Sequence, residues 1–390
     1  MNCCKDAIKF HELKKGKIEI TSRTQIKDAI DLSLAYTPGV AEPCKEIFMD
    51  SSKVYTYTRK WNTVGVISDG TAVLGLGDIG PLASLPVMEG KAVLFKEFGD
   101  VDAFPIVLDT NDVEEIVDTI VRISPSFGGI NLEDISAPRC FEIEKRLKEK
   151  LDIPVFHDDQ HGTAIVVLAG IINSLKIVNK KISSLKVVIN GAGSAGTAIC
   201  KLLLSFGVKN IIMCDINGII HRDGEVKNPA MEELAQITNP NNKTGKLCDA
   251  MKNSDVFIGV SAPNIVSKDM VSSMNKDAII FAMANPTPEI FPKDAIESGA
   301  KIVGTGRSDF PNQINNVLAF PGVFRGALDV RASEINEEMK VAAAYAIANT
   351  IDESELTPSN IIPKAFDLRV KELVAEAVKD AAIKTGVNRI

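Results

Sequence analysis

From residue 185 onward the chain alternates short apolar runs with amphipathic stretches. Residues 186–189, 210–214, 256–260, 278–283 and 301–304 read as strands, and 194–205 and 231–236 as helices between them. Runs of four to six apolar residues suit strands buried on both faces, and their alternation with helices predicts a parallel sheet covered on both sides. The first half carries a looser version of the same pattern. Residues 64–67, 72–74 and 105–108 read as buried strands, and 86–98 as a helix between two of them. Residues 112–122 read as a helix capped by Asn111 or Asp112, with Val113, Ile116, Val117 and Ile120 on one face. A charged helix is expected over 134–151, a short strand at 154–156, then a polar loop over 157–162 and an apolar helix over 163–178. The first 20 residues read as a polar helix. The last 30, with Leu368, Val370, Leu373, Val374 and Ala377, read as an amphipathic helix able to close on either half. The fold class is therefore α/β, with a domain boundary expected near residue 160.

Composition narrows the partners. The 51 acidic and 44 basic residues give a net charge of −7, which argues against a general nucleic-acid or anionic-membrane binder while leaving room for a local basic pocket. The N-terminus has no apolar signal segment, and the longest apolar run, 164–172, is too short to span a bilayer. Seven cysteines without a C-x-x-C pair read as reduced thiols, so a cytoplasmic location is expected.

Gly191-Ala192-Gly193-Ser194-Ala195-Gly196 has the G-x-G-x-x-G form. Alone it is a weak signal. Here a strand precedes it, a helix follows it, and the next strand ends in Asp215, the context that a dinucleotide-binding turn requires. The first glycine permits the tight turn, the second lets backbone approach a pyrophosphate, and the third lets helix and strand pack closely. The helix N-terminus then faces two phosphates. Asp215 is placed to accept from an adenosine ribose, which favours NAD over NADP; Arg222 or Lys227 folding back would reverse that preference.

Two acidic pairs, Glu133-Asp134 and Asp158-Asp159, lie near the expected domain junction. Adjacent carboxylates repel unless a cation sits between them, and all-oxygen ligands suit Mg²⁺ or Mn²⁺. Either pair alone reads better as a solvated acidic turn; it is their shared place at the junction, where ligands bind, that favours a cation. His157 and His161 have zinc-like spacing, but Pro154 and Gly162 point to a loop, and hydrogen-bonding roles are favoured over zinc.

Seven ordered segments then converge on a family: Leu34-Ala35-Tyr36-Thr37-Pro38-Gly39-Val40-Ala41, Val73-Leu74-Gly75-Leu76-Gly77-Asp78-Ile79-Gly80, Met88-Glu89-Gly90-Lys91, Asn131-Leu132-Glu133-Asp134, Phe156-His157-Asp158-Asp159-Gln160-His161-Gly162-Thr163, Ala284-Asn285-Pro286-Thr287-Pro288-Glu289, and Asn315-Asn316-Val317-Leu318-Ala319-Phe320-Pro321-Gly322. The chain resembles malic enzymes of the short, prokaryotic-like type. The resemblance implies an N-terminal α/β malic-enzyme domain over 1–160. It implies a C-terminal Rossmann-like, doubly wound parallel-sheet domain with a terminal helix over 161–390. It implies oxidative decarboxylation of L-malate to pyruvate and CO₂ with NAD or NADP and a divalent cation, in a homodimer. Position by position, Tyr36 resembles the general acid and Lys91 the general base, with Asp158 supporting the base. Glu133, Asp134 and Asp159 resemble the metal ligands, and Asn285 and Asn316 the contacts to substrate or nicotinamide. One departure stands out. Larger members carry an arginine before G-L-G-D that grips a malate carboxylate, whereas this chain has Gly70-Thr71-Ala72-Val73. Arg139 and Lys91 are the cations left for that role.

The chemistry has three demands. A base must take the C2 hydroxyl proton as hydride leaves C2, which Lys91 does if burial or a nearby cation depresses its pKa. Charge on the enolate left by CO₂ loss must be stabilised, which suits a divalent cation. C3 must be protonated, which suits a phenol such as Tyr36. Two rivals remain at this level: a metal-assisted 2-hydroxy-acid dehydrogenase that does not decarboxylate, and a non-catalytic dinucleotide sensor on the same fold.

Overall fold

The computed structural model describes residues 3–73, 75–225 and 228–390. Two parallel sheets organise the chain. The first contains β1 (Thr63–Ser68), β2 (Asp102–Val107), β3 (Gly129–Leu132) and β4 (Val155–His157) in the order β2-β1-β3-β4. The second contains β5 (Lys186–Asn190), β6 (Asn210–Asp215), β7 (Gly218–Ile219), β8 (Val256–Gly259), β9 (Ala278–Ala282) and β10 (Ala300–Thr305) in the order β10-β9-β8-β5-β6-β7. Only β7 runs antiparallel, at the edge beside β6. Strand order reverses at β5, with β6 on one side and β8 on the other. This is the doubly wound arrangement, whose ligand crevice lies beyond the carboxyl ends of the strands.

Four strands are buried as their apolar runs predict: every residue of β1, β3, β8 and β9 is buried. β2, expected to be buried as well, has no fully buried residue, because it lies at the edge of the first sheet. The Val113–Ile123 helix forms where its apolar stripe predicts. Asp112 caps it by accepting from the Glu115 amide at 3.0 Å, and Ile116, Val117 and Ile120 face the core. Other expectations need correction. The helix expected over 86–98 runs from Gly80 to Gly99, with Pro81 in its first turn, where a missing N–H costs nothing. The helix expected from 134 begins only at Arg139, because Asp134 takes a left-handed φ of 53° and Pro138 caps the start. Of the strand expected at 72–74, the described residues Ala72 and Val73 form only one isolated bridge, from Val73 to Gly77; Leu74 lies outside the described residues, as does Lys227.

The largest correction concerns residues 157–162. They do not form a loop. The Asp158–Val178 helix starts directly after β4, with two carboxylates in its first turn. Gly162 marks a close approach, not a break: a Cβ there would lie 1.8 Å from Asp158 Oδ1 and 3.2 Å from Asn316 Cβ. Two-thirds of this helix's most apolar window is buried inside the protein, although by length and composition alone it would cross a membrane.

That helix leaves the first sheet and packs along the Ser194–Ser205 helix of the second. Later the chain returns. The Phe320–Asp329 helix packs on the Gly80–Gly99 helix, with Phe95 4.7 Å from Phe320 and 5.3 Å from Phe324, ring centroid to centroid. Phe324 also meets Phe156 of β4 at 5.8 Å. Such tilted and edge-on pairs add about 0.5–1.5 kcal/mol each beyond area burial. They clamp the return helix, and the Asn316–Leu318 turn before it, over the first sheet. The Arg369–Thr385 helix closes on the Phe320–Asp329 and Glu337–Asn349 helices.

Candidate active site

The carboxyl ends of the first sheet bring together residues far apart in sequence. Glu133 and Asp134 follow β3, and Asp158 and Asp159 follow β4. Lys91 comes from the Gly80–Gly99 helix and is 7% exposed. Its Nζ donates to Asp158 Oδ2 at 2.5 Å and pairs with Glu133 Oε1 at 2.8 Å. Asn316 Nδ2 donates to the same Asp158 oxygen at 2.6 Å, and Asn131 Nδ2 to Glu133 Oε2 at 2.9 Å. The Phe320 ring covers the ammonium at 4.2 Å. The acidic residues, Lys91 and Asn316 of the sequence analysis thus form one cluster. Asn131 and Phe320 belong to it as well. Both lie in the quoted segments, but no local pattern gave them a role.

Glu133, Asp134 and Asp159 each offer a carboxylate oxygen, and these atoms lie within 4.8 Å of one another. The Asp134 amide donates to Asp159 Oδ2 at 2.8 Å, which fixes the turn after β3 to the start of the Asp158–Val178 helix. Burial pushes the Asp158 carboxyl up to about 7 and the Asp159 carboxyl up to about 6, with the neighbouring carboxylates adding to it; Glu133 also rises, chiefly through burial. Four acidic groups around one ammonium leave excess negative charge. The residues therefore fit a hard divalent cation: an all-oxygen set, partly buried, whose ionised form is costly without one.

The Lys91 expectation is corrected by the same charges. Burial works to lower its pKa, but Asp158, Glu133 and Asp159 outweigh burial and hold the ammonium above the ordinary lysine value. A neutral amine at Lys91 therefore requires that neighbouring negative charge be offset.

Other candidates fall elsewhere. Tyr36 ends the short Ala29–Ala35 helix and is 67% exposed; none of the hydrogen bonds of the Lys91 cluster includes it. Arg139 donates to Asp69 Oδ2 at 2.8 Å and to Thr71 Oγ1 at 3.1 Å, so its charge is matched by a buried carboxylate. His161 pairs with Glu144 at 2.7 Å and Lys340 at 3.1 Å, on a different side of its helix from Asp159. That side lines a cavity of about 800 Å³ with Ala164, Thr197 and Ala198, away from the acidic cluster.

On the second sheet the glycine turn has the form its sequence implies. Gly191 has φ +120°, and a Cβ there would lie 2.6 Å from the Val260 carbonyl oxygen. A Cβ on Gly196 would lie 1.8 Å from the Gly191 carbonyl oxygen. Gly193 has open space beside it, and Ser194, Ala195 and Gly196 open the following helix. Asp215 ends β6, as expected, and its Oδ1 accepts from the Asn217 amide at 2.7 Å. Asn285 lies exposed just past β9, at the same carboxyl edge.

Comparison with known proteins agrees with this layout. Residues 15–148 match the family model described as malic enzyme, N-terminal domain, and residues 160–383 match malic enzyme, NAD binding domain. The chain is 60% identical to the bifunctional malic/malolactic enzyme of Bacillus subtilis, over 100% of this chain and 95% of that protein. It is 62% identical to the NAD-dependent malic enzyme of Geobacillus stearothermophilus, over 96% of this chain and 78% of that one. The crystal structure of the NAD-dependent malic enzyme from Thermotoga maritima superposes with a TM-score of 0.93 at 51% identity, covering 96% of this chain and 98% of that chain. With both halves matched by the two models and more than half of its residues shared with these full-length relatives, the chain belongs to the malic enzyme family.

Proposed function

We propose that this protein oxidatively decarboxylates L-malate to pyruvate and CO₂ while reducing NAD(P). The observation that carries the reading is Lys91, buried between Asp158 and Glu133 at the edge of an acidic trio, in a fold whose second sheet presents a dinucleotide turn. Lys91 takes the C2 hydroxyl proton as hydride passes from C2 to the nicotinamide. Asp158, fixed by Asn316, holds the Lys91 amine on the reacting oxygen. Glu133, Asp134 and Asp159 would hold Mg²⁺ or Mn²⁺, which when bound supplies positive charge for the enolate left by CO₂ loss. Tyr36 returns a proton to C3. Asn285 orients the nicotinamide end of the cofactor, and Asn316 is shared between substrate and Asp158.

Malate with Mn²⁺ and either dinucleotide is expected to give pyruvate, CO₂ and reduced cofactor in equal amounts. A higher kcat/KM with NAD is expected from Asp215. Oxidation without CO₂, or binding without turnover, would support one of the rival readings instead. The malolactic activity for which the Bacillus subtilis relative is named supports a second reading, in which the same site also forms lactate. Lactate measured in the same mixture decides it.

A homodimer and a cytoplasmic location also belong to this proposal. Cys44, Cys140, Cys200, Cys214 and Cys248 are free thiols, which supports the second. For the first, the helices Ala29–Ala35 and Ala41–Met49 contain no buried residue, and Leu13, Ile20, Ile30, Leu34, Phe48 and Met49 are exposed around them. A second copy covering this apolar surface would carry Tyr36 into a partner's cleft. Tyr36→Phe and Lys91→Ala proteins, each inactive alone, are then expected to regain about a quarter of the normal activity when co-assembled, since half the dimers are mixed and each holds one intact site. No recovery in demonstrably mixed dimers would place Tyr36 and Lys91 in the same subunit's site.

A further inference from the structure

Glu289 is fully buried, and its partners are backbone amides alone. Its Oε1 accepts from the Ser261 amide at 3.1 Å and its Oε2 from the Ala284 amide at 3.0 Å. Ser261 lies just past β8 and Ala284 just past β9, so one carboxylate joins two adjacent strand ends. Gly259 makes the space for it: a Cβ there would lie 2.4 Å from Glu289 Cδ. The connection continues to the glycine turn. Asn190, the last residue of β5, donates from Nδ2 to Ser261 Oγ at 2.6 Å, and Gly191 follows it directly. The Val260 carbonyl, beside Ser261, packs against Gly191. Asn285 follows Ala284. The carboxylate thus ties together the ends of β5, β8 and β9, three neighbouring strands, of which β5 and β8 meet at the switch point.

An uncompensated carboxylate in this position is expensive to bury, and an apolar side chain would fill the same space without that cost. The two oxygens do what an apolar group does not: they fix the separation of two amides on different loops. We propose that Glu289 is a positioning residue of the dinucleotide site, holding the loops after β8 and β9 at the spacing the nicotinamide half of the cofactor needs. The proposal rests on the reading that this turn binds a dinucleotide.

The test uses the full-length protein and NADH titrated without malate or metal, followed by KM values for NAD and malate. The unaltered protein is expected to bind NADH; absence of binding would remove both the reading and the proposal. Glu289→Gln keeps the shape but turns an NH₂ toward one of the two amides. It is expected to weaken NADH binding about 10-fold or more and to raise KM for NAD equally, since a lost charged acceptor has effects of that order. KM for malate stays within about twofold, because the acidic cluster lies on the other sheet. Ser261→Ala combined with Glu289→Gln is expected to be less than additive for NADH, since both act through one connection. Unchanged NADH affinity in folded Glu289→Gln protein overturns the proposal. So does a fall in both KM-dependent rates that merely follows a smaller folded fraction. Should Glu289→Gln not fold, Glu289→Asp decides by the same titration: its charge is kept on a shorter arm, and wild-type NADH affinity in it overturns the proposal.

Discussion

Lys91→Ala is expected to lower malate turnover about 10³-fold or more while NADH binds with unchanged affinity. The amine sits 2.5 Å from Asp158 and 2.8 Å from Glu133, so its removal deletes the proposed base and leaves those carboxylates without their cation. Loss of charge and loss of base are separated by Lys91→Arg. A guanidinium keeps the positive charge but does not give up its proton near neutral pH, so this variant is expected to be equally slow while disturbing the carboxylates less. NADH affinity is the control for folding of the second sheet. Wild-type-like turnover in either variant removes Lys91 from the role, and restored turnover in Lys91→Arg alone reduces that role to charge balance.

The second large effect concerns the acidic trio. Treatment with EDTA is expected to abolish turnover, and Mn²⁺ or Mg²⁺ to restore it; full activity in protein shown to be free of metal would refute the assignment. Stability gives an independent readout with a definite sign in pH. Burial raises the Asp158 and Asp159 carboxyls to about 7 and about 6, above their unfolded value. A raised acid binds protons more tightly in the folded state. The stabilising contribution is therefore fully present below the ordinary aspartate value of 3.8 and is lost progressively as pH rises from there to about 6 to 7. The metal-free protein is expected to lose thermal stability over that window. Mn²⁺ offsets the charge, and binding to the folded state alone adds about 2.7 kcal/mol at a hundredfold excess over Kd. The gain in Tm on adding Mn²⁺ should grow from pH 6 to pH 8. A gain that shrinks over this range would show that the trio does not take the cation.

The glycine turn illustrates what a local pattern carries. Its strand, its three glycines and its helix are consecutive, and each requirement is met by backbone geometry within 20 residues. The structure repeats the sequence reading there almost residue for residue. The acidic pairs were visible as pairs because both flank the expected domain junction, but their meeting was not. Glu133 and Asp159 come together only because β3 and β4 are neighbours in parallel register, with Leu132 opposite His157.

Glycine misled at position 162. Propensity treats it as a helix breaker, yet the Asp158 side chain fills the space a Cβ would take, and tertiary contact outweighs the small propensity cost. Lys91 misled in a similar way. Burial alone predicts a depressed pKa, and only the assembled carboxylates reverse the sign.

The sequence by itself determined the alternating α/β pattern, the dinucleotide turn and its following acid, and, through seven ordered segments, the family. These are properties of hydrogen-bonding period, local backbone need and residue identity, all legible along one stretch of chain. Only the tertiary structure decided which residues share a site. It joined Lys91 to Asp158 across 67 positions and Asn316 to Asp158 across 158. It left Tyr36 exposed on an apolar surface, and it set Glu289 between two strand ends. The reason is physical. Long-range contacts are fixed by how sheets order their strands and how aromatic side chains such as Phe95, Phe320 and Phe324 fill the space between helices, and no local pattern encodes either.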